Sequence, residues 1–243
     1  KLAKPINLFA LDWLQQIHFF KHFFHQRIIY VTGGTGVGKS SQIPKLLLYG
    51  LYLNGNYNGR VINTQPRINA TTTNAKRIST ELGVPLTVYD KQEKKEKKTL
   101  HYYIQYSTGG ISEDAKHDPN FDNQSELNSY LKIVTDGTLL NVVKKSPFLL
   151  KTDKENKELK EIDINSYDII SIDEAHEHNT NMDLLLTFLR DTVQLNNSLR
   201  LVIITATIES DEPIYRRYYK YISDNLLYPL NNLLFTERNT YGY

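Results

Sequence analysis

The chain has 243 residues, 40% of them apolar, which is enough to bury one substantial core or at most two small ones. Lys and Arg number 29 against 27 Asp and Glu, so the formal net charge of +2 creates no global field that would indicate nucleic acid as a partner. The lack of cysteine excludes disulfides and thiolate metal ligands, and no apolar stretch reaches the ~18 residues of a membrane-spanning helix.

Short β-branched or aromatic runs alternate with longer segments of helical spacing along the chain. The runs predict strands at 27–33, 60–65, 101–107, 131–136, 167–173 and 199–207. The spacing between them predicts helices at roughly 8–25, 38–53, 67–83, 137–145, 180–196 and 212–223. Such strands separated by helices indicate a mostly parallel central sheet with helices on both faces, so we expect a doubly wound α/β fold.

Three other segments break this alternation. The charge-rich stretches at 90–98 and 144–163 predict surface loops. The tail at 224–243 contains Asn pairs and a Pro without a clear period, which predicts a connector. Because the sequence begins with Lys1 and no signal-peptide pattern opens it, we expect a piece of a longer, soluble, intracellular polypeptide with no membrane partner.

A glycine-rich segment, VTGGTGVGKSSQ at 31–42, matches the phosphate-binding pattern G-x-x-x-x-G-K-S in full. It follows a predicted strand and begins a predicted helix, where backbone N–H groups and the helix N-terminus attract phosphate. In this pattern Lys39 reaches the β- and γ-phosphates, and the Ser40 hydroxyl is a ligand for Mg²⁺. The predicted nucleotide contacts are Gly33, Gly34, Thr35, Gly36, Val37, Gly38, Lys39, Ser40 and Ser41.

A second polar segment, SIDEAHEHN at 171–179, follows another predicted strand. Asp173 at the strand end is the expected partner of Mg²⁺ through water, and Glu174 is placed to polarise the attacking water beside the same ion. A transition-metal site at His176 and His178 is an alternative, but the spacing differs from H-E-x-x-H. A polar loop without chemistry is the other alternative. Hydrolysis of a nucleotide accounts for both segments together.

With these motifs the chain resembles the DEAH/DExH-box helicases of superfamily 2. TQPRINA at 64–70 resembles motif Ia of that family, TDGTLL at 135–140 resembles motif Ib, and TAT at 205–207 resembles motif III. Five motifs therefore occur in the family order between residues 33 and 207. GGTGVGKSSQIPKLLL and DEAHEHN are most similar to the nucleoside triphosphate phosphohydrolase II type of large DNA viruses.

The resemblance implies a RecA-like P-loop NTPase domain at 1–223 and a connector at 224–243 toward a second RecA-like domain of the same chain. It implies ATP or another NTP and Mg²⁺ as cofactors, RNA as a partner, and no structural zinc. The expected activity is ATP-driven 3′ to 5′ unwinding or remodelling of RNA. The expected location is the cytoplasm, or the virion for a viral protein.

The family motifs also imply roles for individual residues. Lys39, Asp173, Glu174 and His176 are the implied catalytic residues. The implied RNA-backbone contacts are Arg67, Thr135, Asp136 and Gly137, and the implied coupling residues beside His176 are Thr205, Ala206 and Thr207. As alternatives, Arg67 could cap a helix or pair with an acid, and Thr135 and Asp136 could be only an N-cap. Thr205 and Thr207 could form hydrogen bonds in the core.

The chain departs from the family pattern in three places. The G-Y-x-x-R pattern lacks its Arg in YIQYSTGG, and His178 replaces the Arg that usually follows D-E-A-H-E. Nothing resembles Q-R-x-G-R-x-G-R of the second domain, so we expect this chain alone to bind nucleotide but hydrolyse it slowly. The competing functions are a P-loop ATPase acting on DNA or protein, and a nucleotide-binding scaffold without turnover.

Overall fold

The computed structural model describes residues 13–83, 87–90, 95–98, 104–108, 130–152, 163–206, 212–220 and 222. Within this part, six helices are α1 (Trp13–His25), α2 (Lys39–Leu53), α3 (Ile68–Leu82), α4 (Asp136–Lys145), α5 (Thr180–Leu195) and α6 (Glu212–Tyr218). Ten strands are β1 (Ile28–Thr32), β2 (Arg60–Gln65), β3 (Thr87–Asp90), β4 (Lys95–Lys98), β5 (Ile104–Ser107), β6 (Tyr130–Thr135), β7 (Leu150–Thr152), β8 (Asp163–Asn165), β9 (Ile169–Ile172) and β10 (Arg200–Thr205). The predicted connector at 224–243 and Thr207 lie outside the described residues.

The central sheet has six strands in the order β1-β10-β9-β2-β6-β5. Every neighbouring pair in this sheet is parallel. The α/β class with a parallel sheet is therefore confirmed. Because all six strands run the same way, their carboxyl ends meet at one edge, where ligands bind in open α/β folds.

Apolar side chains alternate between the two faces of the sheet and form two cores. On one face, Ile170 and Ile172 pack with residues of α4, α5 and α6. On the other face, Ile169 and Val202 pack with residues of α1, α2 and α3. Helices thus cover both faces, as the near-continuous apolar strands predicted. No helix in the described ranges combines the length and the apolar character that crossing a bilayer requires.

Two predictions of surface loops were wrong in part. β3 and β4 form an antiparallel pair at the charged stretch 90–98, and β7 and β8 form another within 144–165. These pairs are two-stranded and separate from the main sheet. Lys and Glu have low strand propensity but are tolerated in short strands that border water, so composition alone does not reveal such pairs.

A buried polar network lies at the opposite, amino-terminal edge of the sheet. The Arg27 guanidinium donates to the carbonyl oxygens of Val193 at 2.6 Å and Asn196 at 2.9 Å. Asp168 accepts from the Arg60 N–H at 2.8 Å, and burial raises the pKa of its carboxyl to about 6. Burial likewise lowers the pKa of Arg200 to about 9. These groups connect the start of β1 to the end of α5, and the start of β2 to the start of β9.

We expect the Asp168 carboxyl to make the protein less stable as the pH rises from about 4 to about 6. In this window the unfolded chain has released the proton that the folded chain still holds, so the free energy of unfolding falls by about 1 kcal/mol per pH unit for this group. Asp168→Asn should flatten the dependence, measured by urea unfolding at about pH 4.5 and about pH 7. Asp191→Asn, on the exposed face of α5, is the control and should leave the slope unchanged.

Helix α2 packs closely against α1 at Gly50. A Cβ atom at this position would lie 2.9 Å from two ring atoms of Phe23, which is fully buried. The ring cannot easily withdraw, because the Arg200 guanidinium lies 4.1 Å from its centroid. The lack of a side chain at Gly50 is therefore what permits this helix contact.

Gly50→Ala should destabilise the protein by about 1 to 2 kcal/mol. Overpacking against Phe23 costs about 1 to 3 kcal/mol, and the better helix propensity of Ala returns only part of this. Chemical unfolding measures the difference, with the exposed Leu53→Ala on the same helix as control. A Gly50→Ala protein that is more stable than wild type would show that Phe23 moves aside without cost.

Candidate active site

The phosphate-loop segment 33–38 connects the carboxyl end of β1 to the first turn of α2. Gly36 and Gly38 have φ angles of 83° and 92°, in the left-handed region that costs most residues energy. Gly38 is the N-cap of α2, so Lys39, Ser40 and Ser41 form the first helical turn. The predicted nucleotide-binding residues are therefore contiguous at the functional edge of the sheet.

The Lys39 ammonium is held by the loop itself. Its Nζ donates to the carbonyl oxygens of Gly33 at 2.6 Å and Gly34 at 2.8 Å. The Ser41 hydroxyl is also bound locally, because it donates to the Gly38 carbonyl at 3.2 Å and accepts from the Gln42 amide. Of these two side chains, only Lys39 is charged. Phosphate oxygens could replace the loop carbonyls as acceptors of its hydrogen bonds.

Asp173 lies at the end of β9 and is fully buried, with 0% of its surface exposed. Its carboxylate accepts from the Gln65 amide at 2.6 Å and from the Glu174 N–H at 2.9 Å, and the Ser40 side chain lies beside it. Burial raises the pKa of the carboxyl to about 6, and the charge of Glu174 acts in the same direction, whereas Ser40 and the two hydrogen bonds lower it. The structure thus joins Ser40 and Asp173, the two oxygen ligands expected for Mg²⁺.

Gln65 was not among the predicted site residues. Its amide fixes the orientation of the Asp173 carboxylate. The available signal was position, because Gln65 ends β2, and β2 pairs with β9. An amide that ends a strand beside a buried carboxylate is a natural hydrogen-bond donor to it.

Residues 174–178 form a strained turn. Glu174 and His178 have φ angles of 54° and 44°, which is uncommon for residues with a Cβ, and a single 3₁₀ turn (Ala175–Glu177) lies between them. The Glu177 N–H donates to the Glu174 carbonyl at 2.9 Å. Each left-handed residue costs on the order of 1 to 3 kcal/mol, so surrounding contacts must hold this turn in place.

The His176 ring links this turn to the end of β10. Its Nδ1 accepts from the Ala206 N–H at 3.3 Å and lies 3.5 Å from Glu174 Oε2. Because a backbone N–H can only donate, Nδ1 carries no proton in this arrangement and cannot also donate to Glu174. Thr205, the last residue of β10, is buried beside Thr32 of β1. The predicted contact between His176 and the TAT segment is therefore present at Ala206.

Arg67 lies beside the phosphate loop. Its Nη2 is 3.1 Å from Glu177 Oε1, with side-chain exposures of 74% and 29%. Both residues line a pocket of about 340 Å³ together with Lys39, Ser40 and Glu174. A second cleft of about 880 Å³, between α1 and β1, also reaches Lys39. The alternative that Arg67 pairs with an acid is confirmed, and Glu177, which had no predicted role, is the acid.

Known proteins share this sequence over most of its length. A protein of Acanthamoeba polyphaga mimivirus named as an ATP-dependent RNA helicase is 45% identical over 235 residues, which are 92% of this chain and 13% of that protein. The chain belongs to the DEAH/DExH-box helicases of superfamily 2. A Caenorhabditis elegans relative with the same kind of name is 31% identical over 76% of this chain and 20% of its own length. The ATP-dependent RNA helicase HrpA of Escherichia coli is 30% identical over 77% of this chain and 11% of its own length.

This DEAH-box chain therefore spans only 13%, 20% and 11% of those three relatives. No protein-family model matches it. Family membership and the six-stranded parallel sheet together confirm the RecA-like α/β fold. The viral resemblance also agrees with the mimivirus relative.

The TDGTLL segment of this DEAH-box domain differs from expectation at Asp136. That side chain is 2% exposed, and its Oδ2 accepts from Asn179 Nδ2 at 2.9 Å, so it faces inward, and an RNA contact at Asp136 stays a prediction. Burial raises the pKa of the Asp136 carboxyl. Thr135 is the N-cap of α4 without a side-chain cap bond, and its hydroxyl lies 2.8 Å from that of Thr138. Thr135 and Gly137 are half-buried at the end of β6.

A metal site was the alternative for His176 and His178, and in the structure these two residues contact different partners. His176 Nδ1 is bound by Ala206, whereas the His178 ring stacks on Tyr215 and its Nδ1 lies 3.6 Å from Asp183 Oδ1. Within the described ranges, no cluster of three or more His, Cys, Asp and Glu side chains could hold a metal ion. The two imidazoles of this DEAH-box turn therefore bind different neighbours.

Proposed function

We propose that this chain is the ATP-binding, first RecA-like domain of an ATP-dependent RNA helicase that hydrolyses NTP with Mg²⁺ to unwind or remodel RNA. The observation that carries the proposal is that Lys39, Ser40 and Glu174 line one pocket, directly beside the buried Asp173. This arrangement joins a phosphate loop to an acid pair at one sheet edge. The names of the relatives, which are ATP-dependent RNA helicases, support the same function.

The donor atoms around Asp173 suit Mg²⁺, which prefers hard oxygen ligands and keeps several waters. Ser40 would supply a hydroxyl oxygen, Asp173 would hold the ion through water, and Glu174 borders the same position. When bound, the ion would neutralise charge that develops on the β- and γ-phosphate oxygens. The Gln65 amide keeps the Asp173 carboxylate from rotating away.

The protein groups divide the chemistry between them. Lys39 would exchange the Gly33 and Gly34 carbonyls for phosphate oxygens, which are stronger acceptors for an ammonium. The Glu174 carboxylate lines the pocket and would accept a proton from a water molecule. The oxygen of that water would attack the γ-phosphorus as the bond to the leaving nucleoside diphosphate breaks. His176 would transmit changes at Glu174 to the Ala206 backbone.

RNA would contact the same edge through Arg67, Thr135 and Gly137. Arg67 follows β2, Thr135 ends β6 and Gly137 lies in the first turn of α4, and they offer a guanidinium, a hydroxyl and a backbone N–H to the sugar-phosphate backbone. Because Arg67 is paired with Glu177 at 3.1 Å, an RNA phosphate must compete with that carboxylate. A second RecA-like domain of the same chain would complete the cleft and supply the arginines that stabilise the transition state.

ATP hydrolysis by the full-length protein, with and without single-stranded RNA, tests the proposed function. RNA should stimulate wild type more than DNA of the same length does. Lys39→Ala should lose nucleotide binding and turnover, whereas Glu174→Gln should lose turnover by about 10² to 10⁴-fold and keep nucleotide binding, since only the general base is removed. Lys144→Ala, at the far end of α4, is the control. The proposal fails if Lys39→Ala is as active as wild type, and equal stimulation by DNA favours the DNA-directed ATPase.

The pairing of Arg67 with Glu177 predicts opposite effects of two substitutions on RNA affinity. Glu177→Gln should raise RNA affinity about twofold to fivefold, because an exposed ion pair is worth at most about 1 kcal/mol and its loss frees the guanidinium. Arg67→Ala should weaken binding and reduce the slope of log affinity against log salt by about 0.7. Lys76→Ala, exposed on α3, is the control. If Arg67→Ala weakens only nucleotide binding, Arg67 serves the phosphates and not RNA.

A further inference from the structure

Tyr215 of α6 contacts the strained turn at 174–178 but lines neither of the two pockets described above. Its phenol oxygen donates to the Ala175 carbonyl at 2.8 Å, and its ring stacks on His178 with centroids 6.4 Å apart and planes 25° apart. Tyr215 is buried, and Ala175 is fully buried. One side chain therefore contacts two residues of the segment that presents Glu174.

The bond to Ala175 lies where the turn most needs support. Ala175 directly follows Glu174, whose backbone is left-handed, and the second left-handed residue is His178. Because Ala175 is fully buried, water cannot easily replace a lost partner of its carbonyl. Without the Tyr215 hydroxyl, the peptide between Ala175 and His176 would have to rotate for its carbonyl to find another partner, and this rotation would disturb the turn that presents the Glu174 side chain.

Tyr215 is itself held in place by its surroundings. The Tyr30 hydroxyl donates to the Tyr215 carbonyl at 3.2 Å, and the Arg216 guanidinium lies 4.6 Å from the Tyr30 ring centroid. Tyr30 belongs to β1, which leads directly into the phosphate loop. These contacts fix the position of Tyr215, and therefore of its phenol oxygen, relative to β1.

We propose that Tyr215 is a positioning residue for hydrolysis, which acts through Ala175 to hold the Glu174 carboxylate in its reactive orientation. This inference rests on the proposed function. It adds to that function a residue, outside the recognised motifs, that positions one member of the acid pair. Together with the Ala206 contact to His176, it makes the chain after β10 the support of the whole turn. Tyr215 lines neither pocket, so it acts through Ala175 and does not take part in the chemistry itself.

Tyr219 provides a matched control on the same segment. It is buried like Tyr215, and its hydroxyl also donates to a backbone carbonyl, that of Leu186 on α5, at 2.7 Å. Tyr219→Phe and Tyr215→Phe each remove one oxygen atom and one comparable hydrogen bond. A purely structural effect should therefore be the same in both variants.

The experiment measures ATP hydrolysis by the full-length protein with RNA present. Tyr215→Phe should lower kcat about fivefold to tenfold, the rate equivalent of one lost hydrogen bond, with KM for ATP and nucleotide affinity unchanged. Tyr219→Phe should leave kcat near wild type. In a Glu174→Gln background, Tyr215→Phe should cause no further loss, because it acts through that carboxylate.

Amide hydrogen exchange gives a second readout that needs no activity. The Glu177 N–H, which donates to the Glu174 carbonyl, should exchange faster in Tyr215→Phe than in Tyr219→Phe. Equal kcat values for the two variants, or equal exchange rates, would overturn the inference. If wild type hydrolyses no more ATP than Lys39→Ala, the proposed function fails and this inference fails with it. An active wild type with identical Tyr variants refutes the inference alone.

Discussion

The buried carboxylate of Asp173 is the group on which the arrangement of this edge depends. It accepts hydrogen bonds from Gln65 on β2 and from the backbone N–H of Glu174, and it lies beside Ser40 on α2, so it joins the phosphate loop, the neighbouring strand and the strained turn. An ionised carboxylate without these partners would be expensive to bury. The energetic cost of burying it is therefore met by contacts that also set the relative positions of the phosphate loop and the acid pair.

The support for this edge comes from chain segments that are distant in sequence. The turn at Glu174 is held by Ala206 through His176 and by Tyr215 through Ala175, both of which follow β10. The Arg67 guanidinium meets Glu177 from the end of β2. A parallel sheet makes this possible, because it places the ends of β2, β9 and β10 side by side although their residues lie far apart along the chain.

The fold and the chemical centre of the site were predictable from sequence for physical reasons. The continuous apolar strands allowed only a covered parallel sheet, and the spacing from Gly33 to Ser40 is specific enough to identify a phosphate loop. The partners of those residues were not predictable in the same way. Gln65, Glu177 and Tyr215 act through single hydrogen bonds or ion pairs whose existence depends on strand register and side-chain direction. Periodicity gives the face of a side chain but not its contacts, and Asp136, which faces inward to Asn179, shows the same limit.

The two bonds from Lys39 to the carbonyls of Gly33 and Gly34 have a thermodynamic consequence for any anion that enters the loop. Such an anion does not meet a hydrated ammonium, because the ammonium already has two acceptors from the protein. The heat of association then reflects an exchange of acceptors, in which broken bonds to carbonyls offset new bonds to the anion. The loop therefore holds the Lys39 ammonium in place before any anion binds. The conformational entropy of the Lys39 side chain is lost when the chain folds, so it is not lost again on binding.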